Sequence, residues 1–315
     1  MEKTQKIYIA GHRGMVGSAI HRQLIKNGFS NIVTQARKDL DLMDKSAVFN
    51  FFQENKPEFV FDAAAKVGGI LANNSYPAEF IYQNLQIQTN IIHAAHKYNV
   101  KKLLFLGSSC IYPKECPQPM QENYLLTGPL EPTNDAYAIA KISGIVMCHA
   151  YYRQYGDNFL SIMPTNLYGP GDNFDLKTSH VLPALIRKFH EAKMNKLKSV
   201  TLWGTGIAKR EFLHVEDMAN ASIFIMQNIE AKTVYSQDIT HLNVGTGKDI
   251  SIKELADLIR EIIGYSGEIT YDTEKPDGML IKRLNVERLN NMGWKHNISI
   301  NDGIRQTYQW YLDNL

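Results

Sequence analysis

The run Gly11-His12-Arg13-Gly14-Met15-Val16-Gly17 follows directly on the apolar tetrad Ile7–Ala10 and opens a stretch, Val16 to Ile25, with apolar residues near helical spacing. A strand that ends in three glycines and continues as a helix is a narrow constraint on the fold. Glycine lets the backbone turn tightly and lets another group approach it closely. The helix behind the turn offers free N–H groups and the positive end of its dipole to an anion. The spacing is G-x-x-G-x-x-G, not the G-x-G-x-x-G of the common dinucleotide fingerprint. The glycines serve the same ends: a tight turn, close approach to a pyrophosphate and close packing of helix on strand. Three glycines alone also describe an ordinary turn; their place after an N-terminal strand favours the phosphate reading.

The rest of the first half repeats the strand–helix alternation. Strand-like runs at Asn31–Thr34, Phe59–Ala65 and Lys102–Leu106 separate helix-like stretches at Lys45–Phe52, Phe80–Tyr98 and Asp135–Tyr155, with a further strand at Asn158–Met163. Continuous apolar strands alternating with helices predict a doubly wound parallel α/β sheet of the Rossmann kind, covered on both faces. The turn-rich segment Asn166–Asp172 marks a crossing into a second, smaller α/β lobe. The rest of the chain mixes short strands (Val200–Trp203, His241–Val244, Glu268–Tyr271) with helices at Val181–His190, Val215–Gln227, Ile252–Ile263 and Gly303–Trp310. The expected division is a dinucleotide-binding domain of residues 1–170 plus about 208–244, and a substrate lobe of about 171–207 plus 245–315.

Composition limits the partners. A formal net charge of +2 over 315 residues provides no global field for nucleic acid, so an anionic ligand must meet local Arg and Lys. No run approaches the ~20 apolar residues of a membrane span, and the first residues lack a secretory pattern. Cys110, Cys116 and Cys148 form no disulfide framework. The expected compartment is the cytosol, and no metal site is expected.

The second strand tip bears on the cofactor. Enzymes that hold NAD place Asp or Glu there for the ribose 2′-hydroxyl. Here Ile32-Val33-Thr34 runs into Gln35-Ala36-Arg37-Lys38, with no acid before Asp39. Arg37 is placed to meet a 2′-phosphate and Arg13 to join it, which predicts NADP(H). Both arginines would otherwise be ordinary solvated charges.

Tyr137-Ala-Ile-Ala-Lys141 puts a phenol and an ammonium one helical turn apart on one face. A neighbouring ammonium lowers a tyrosine's pKa, so the hydroxyl can exchange a proton with a carbonyl near neutral pH. Ser108, in Gly107-Ser108-Ser109-Cys110 at the carboxyl end of a strand, can bond the same oxygen. Glycine turn, strand-end serine and Y-x-x-x-K, in that order, resemble the short-chain dehydrogenase/reductase pattern. The length and second lobe resemble its extended subclass, which mainly handles nucleotide-sugars.

Several segments are similar to the GDP-L-fucose synthase family: Ala10–Gly17, Ala63-Ala-Ala-Lys-Val-Gly-Gly69, Leu106–Tyr112, Glu131-Pro-Thr-Asn134, Pro164–Pro170, Arg210-Glu-Phe-Leu-His-Val215 and Lys275-Pro-Asp-Gly278. They span nearly the whole chain in order. The resemblance implies epimerisation at C3 and C5 of GDP-4-keto-6-deoxy-D-mannose, then reduction of the C4 ketone with NADPH to give GDP-L-fucose. Both epimerised carbons are α to the ketone, so an enolate can form. Inversion needs a base on one face and an acid on the other. The residues matching the family's pair are Cys110 and His180, with the two roles left open between them. Ser108 and Tyr137 would steady the enolate oxygen.

Cofactor positions implied in the same way are Gly11, Arg13, Gly14, Met15, Val16, Gly17, Arg37, Leu106, Gly107, Ser109, Lys141, Pro164, Asn166, Leu167 and His180. Lys188, Trp203, Arg210 and Asp277 match positions that bind the GDP-sugar. Without the resemblance, Cys110 reads as a small buried hydrophobe, His180 as a cap and Trp203 as core. Asn84 either holds the site or faces solvent. The apolar faces of Phe80–Tyr98 and Asp135–Tyr155 either form a homodimer interface or pack on the sheet.

Two other readings compete. A 4-epimerase or 4,6-dehydratase of the same fold would hold NAD tightly. Arg37 and the acid-free strand tip oppose it, as does Ser109-Cys110 where a dehydratase tends to carry Asp-Glu. A non-catalytic NADPH sensor would have little use for Tyr137 and Lys141 together.

Overall fold

The computed structural model describes residues 1–315 other than Lys177 and Pro276. The strands are β1 (Ile7–Ala10), β2 (Ile32–Val33), β3 (Phe59–Asp62), β4 (Lys102–Leu106), β5 (Phe159–Pro164), β6 (Asn166–Tyr168), β7 (Ser199–Trp203), β8 (Lys209–His214), β9 (Leu242–Val244), β10 (Asp249–Ser251), β11 (Glu268–Asp272) and β12 (Ile281–Lys282). The helices are α1 (Met15–Lys26), α2 (Lys45–Asn55), α3 (Ile70–Ser75), α4 (Pro77–Lys97), α5 (Asp135–Tyr155), α6 (Val181–Met194), α7 (Val215–Asn228), α8 (Ala231–Tyr235), α9 (Ile252–Ile263), α10 (Glu287–Asn291) and α11 (Ile300–Asp313).

The alternation read from the sequence becomes a six-stranded parallel sheet in the order β2-β1-β3-β4-β5-β9. Successive residues of β1 point to opposite faces. Ile7 and Ile9 join Phe61, Leu104, Ile162 and the helices α1 and α7 in one layer. Tyr8 joins Val60, Phe105 and residues of α2, α4 and α5 in the other. The chain leaves β1 for β2 on one side and returns to β3 on the other. The carboxyl ends of β1 and β3 therefore flank the crevice where such sheets bind ligands.

A third apolar cluster, including Leu182, Ile186, Phe189, Leu255, Ile259 and Ile304, builds a smaller unit from α6, α9 and α11. There β7 pairs with β11, while β8 joins β6, β10 and β12. Helix α9 opens on a capping box, Ser251 with Glu254, and ends at Gly264 in the left-handed region. The doubly wound fold with a smaller α/β unit is as expected.

The differences are local. Helix α4 starts at Pro77, before Phe80, because proline suits a first helical position. Helix α6 continues past His190 to Met194. The short strands β6, β8, β10 and β12 were not expected. Among the described residues no helix is long and apolar enough to cross a membrane.

Candidate active site

Gly11 sits at φ 77°, where a side chain is strained, and a Cβ there would lie 2.8 Å from the Ala63 carbonyl oxygen. A Cβ at Gly17 would run into the Gly11 carbonyl. Gly14 stands at the start of α1, whose first turn carries neither a side-chain cap nor an acidic residue. The turn thus presents uncommitted amides of Met15, Val16 and Gly17 to the crevice. Arg13 and Arg37 are exposed at its rim. Among the described residues neither makes a hydrogen bond or ion pair. A cradle a Cβ would fill, an uncapped helix start and two uncommitted arginines fit a phosphorylated dinucleotide.

Across the crevice, Lys141 is 3% exposed. Its ammonium donates to the Leu106 carbonyl at 2.8 Å and lies 4.7 Å from the Phe105 ring centroid and 5.9 Å from that of Tyr137. Gly144, one turn further along α5, faces the Phe105 ring so closely that a Cβ would collide with it. The absent side chain lets α5 settle on β4 and carries Lys141 to the strand end. The Tyr137 ring meets Phe80 edge-on at 6.1 Å. The Ser108 hydroxyl stands between the Tyr137 phenol and the Cys110 thiol and lowers the pKa of each.

One electrostatic expectation is corrected. Burial, then the neighbouring Cys110, pushes the Tyr137 phenol above its ordinary value, against a lowering by Ser108. Lys141 does not reverse this, because its ammonium is committed to Leu106 instead of the phenol oxygen. The phenol therefore holds its proton at neutral pH, the state a proton donor needs.

Cys110 is buried in the short 3₁₀ turn Ser109–Ile111. Burial raises its thiol, while Lys282, Ser108 and Lys141 draw it down. His180 stands at the start of α6 with its ring open to solvent, in a crevice dense enough with protein that desolvation, then Lys282, lowers its pKa. Lys282 thus favours a thiolate at Cys110 and disfavours an imidazolium at His180. The loop bearing His180 is tied across the crevice where the Gly69 amide donates to the Thr178 carbonyl at 3.1 Å.

Asn84 resolves its two readings. It is buried, and its side chain clamps Lys66 from both sides, accepting from the Lys66 amide at 2.9 Å and donating to its carbonyl at 3.0 Å. It holds the Ala63–Gly69 loop and does not face solvent.

On the outer wall, Arg210 donates to the Lys209 and Met279 carbonyls at 2.8 and 2.6 Å. Burial lowers its pKa while Asp277 raises it. Lys282 is its register partner on β12. Glu211 points the opposite way from Arg210. Fully buried, it accepts from the amides of Thr246, Leu284 and Gly247 at 2.6, 2.7 and 2.8 Å, tying β8 to the approaches of β10 and β12. Asp277 accepts from the Thr205 amide at 2.7 Å and its hydroxyl at 2.8 Å, which braces the turn after Trp203. Trp203 is 71% exposed and not core. Lys188 is half-buried on α6, and desolvation lowers its pKa.

Leu106 ends β4, and Gly107 and Ser109 follow it, where a Cβ at Gly107 would strike Met163. Pro164 ends β5, and Asn166 and Leu167 lie in β6, with Asn166 donating to the Glu211 carbonyl at 2.8 Å.

The structure brings Ser108, Cys110, Tyr137 and Lys141 together and links His180 to them through Lys282. Sequence reasoning missed Lys282 and Glu211. Lys282 lies just beyond Lys275–Gly278, four positions past Gly278, and its register with Arg210 is a long-range pairing invisible in the chain. The Arg210-Glu211 alternation was the available signal for Glu211. Pro276, in the middle of that motif, lies outside the described residues.

Fold and site together define a Rossmann-type dinucleotide-dependent enzyme, with Ser108, Tyr137 and Lys141 gathered at the crevice. The chain belongs to the NAD dependent epimerase/dehydratase family, which its residues 7–245 match. It is 55% identical over 315 residues to a putative GDP-L-fucose synthase 2 of Arabidopsis thaliana, covering 100% of this chain and 94% of that protein. It is 55% identical over 314 residues to a GDP-L-fucose synthase of Escherichia coli (strain K12), covering 98% and 97%. Among solved structures it is similar to a GDP-D-glycero-L-gluco-heptose synthase from Campylobacter jejuni, crystallised in the presence of NADPH. That match has a TM-score of 0.93 and 42% identity, covering 99% of each chain.

Proposed function

We propose that this protein is a NADPH-dependent 3,5-epimerase and 4-reductase that converts GDP-4-keto-6-deoxy-D-mannose to GDP-L-fucose. The observation that carries the reading is the gathering at one strand end of Ser108, the Tyr137 phenol and the buried Cys110 thiol, with the Ser108 hydroxyl acting on both of the others. One substrate oxygen at that node can be steadied as an enolate and later protonated as an alcohol. The two curated relatives named GDP-L-fucose synthase support the substrate.

Cys110 and His180 exchange protons at C3 and C5, one removing and the other returning a proton at the inverted carbon. NADPH, when bound, supplies the hydride to C4. Tyr137, resting protonated, gives its proton to the C4 oxygen, and Lys141 holds the nicotinamide ribose. Gly11, Gly14, Met15, Val16 and Gly17 take the pyrophosphate. Leu106, Gly107, Ser109, Pro164, Asn166 and Leu167 line the nicotinamide half, with His180 at its edge. Arg210, joined by Lys282, meets the GDP diphosphate with Lys188 beside it. Trp203 offers an exposed ring face to the guanine, and Asp277 sets the turn that carries it. Residues 1–170 with about 208–244 serve as the cofactor domain, and about 171–207 with 245–315 as the sugar-nucleotide lobe.

Arg37 and Arg13 meet the 2′-phosphate. Arg37→Ala is therefore expected to raise the Kd for NADPH about 10-fold or more, the scale of one charge-assisted contact. The Kd for NADH should stay nearly unchanged, both read by fluorescence titration. Equal weakening of the two nucleotides would remove the contact. Tightly held NAD released on denaturing the purified protein would move the reading to a 4-epimerase or dehydratase.

Helices α4 and α5 bury one face on the sheet and leave Tyr82, Ile139 and Val146 exposed on the other. We infer a homodimer through that face. Val146→Asp is expected to give a monomer in light scattering, where the wild type gives a dimer. A wild-type monomer would refute the interface. The cytosol, which supplies NADPH and nucleotide-sugars and keeps thiols such as Cys110, Cys116 and Cys148 reduced, is the compartment this chemistry suits.

A further inference from the structure

Asp62 ends β3 on the face of the sheet that α5 covers, and it is 1% exposed. One carboxylate oxygen accepts a 3.3 Å hydrogen bond from the Ala64 amide. The other is buried with no hydrogen-bond partner among the described residues. An aspartate in such a place costs stability that an apolar residue of similar size would not, so its presence calls for a reason.

Three ionisable side chains face it: Tyr8 from β1, and Lys141 and Cys148 from α5. Burial pushes the Tyr8 phenol and the Cys148 thiol up, so both stay neutral. Lys141 is the cation that remains. Its ammonium spends one donor on Leu106 and rests over the ring of Phe105, the register partner of Asp62 on β4, so it lies within electrostatic reach of the carboxylate without bonding to it. Burial lowers the Lys141 pKa, and Asp62, then Cys110, raises it.

We propose that Asp62 is a positioning residue for the reduction: its carboxylate is the counter-charge that holds Lys141 as an ammonium at its post beside Tyr137. The inference rests on the reading of Lys141 as part of the proton-transfer group. Asp62 touches neither substrate nor the reacting atoms. It acts through the charge of Lys141, which must both bind a ribose hydroxyl and support the phenol as it gives up its proton.

The direct test is ¹³C NMR of lysine-labelled protein without cofactor, with the Lys141 resonance identified by its loss in Lys141→Arg. Removing the carboxylate disfavours the ammonium. In Asp62→Asn and Asp62→Leu the Lys141 midpoint is therefore expected to fall by about one to two pH units. The alkaline limb of kcat for NADPH oxidation should move down with it, since activity that needs the ammonium is then lost at lower pH. An unchanged Lys141 midpoint in either folded variant overturns the proposal. If neither variant folds, the wild type still decides. Burial pushes the Asp62 carboxyl up to about 6, so the Lys141 signal should show a second, acid-side inflection as the carboxylate takes its proton, and the absence of any such inflection overturns the proposal. A shifted midpoint in a protein that turns over no keto-sugar would sink the reaction while leaving the role of Asp62 intact.

Discussion

Tyr137→Phe leaves a protein that epimerises and does not reduce. NADPH oxidation is expected to fall by about 10²- to 10⁴-fold, the range of a lost positioned proton donor. Exchange of the C3 and C5 protons with deuterated solvent should continue, because Cys110 and His180 are untouched. The phenylalanine keeps the edge-on packing with Phe80, so the fold and NADPH affinity should be retained. The loss belongs in kcat: burial keeps the Tyr137 phenol protonated, and only the proton is removed. A variant that reduced at the wild-type rate would mean that another group protonates the oxygen.

The second large effect is the converse. Cys110→Ser and His180→Gln should each slow solvent exchange at the epimerised carbons by about 10²- to 10⁴-fold. A serine hydroxyl has almost none of the thiol's acidity, and glutamine keeps the shape of histidine without a titrating nitrogen. Reduction can still proceed in these variants on sugar that has not been inverted. The diagnostic product is a C4-reduced GDP-sugar with the original configuration at C3 and C5, identified by NMR. Normal exchange in Cys110→Ser would remove the thiol from the proton-transfer pair. Arg210 sits away from this exchange, so its removal should raise KM more than it lowers kcat.

What was legible in the sequence were the features that depend on neighbours in the chain. Gly11–Gly17 is a turn whose purpose follows from its own backbone, and Tyr137 and Lys141 share a face through one turn of α5. The apolar runs of β1, β3, β4 and β5 are continuous because the sheet is covered on both sides. Features made by distant pairings were not legible. β8 reads Lys-Arg-Glu-Phe-Leu-His, with no clean alternation, and becomes a strand through partners at Asn166, Asp249 and Ile281. Lys282 enters the site only through that sheet. The direction of the Tyr137 shift was misjudged for the same reason, since it depends on the Leu106 carbonyl claiming Lys141. Trp203 looked like core by residue type and is exposed, because it ends a strand at the edge of the smaller unit.

The central claim is that one site both inverts two carbons and reduces a third. The most direct measurement supplies the purified protein with GDP-4-keto-6-deoxy-D-mannose, generated in place, and NADPH in deuterated buffer. It follows absorbance and then determines the product by NMR. The account predicts one NADPH consumed per sugar and GDP-L-fucose carrying solvent deuterium at C3 and C5. NADPH consumed with a product that retains its original configuration and no deuterium would contradict it, leaving a simple reductase on the same fold.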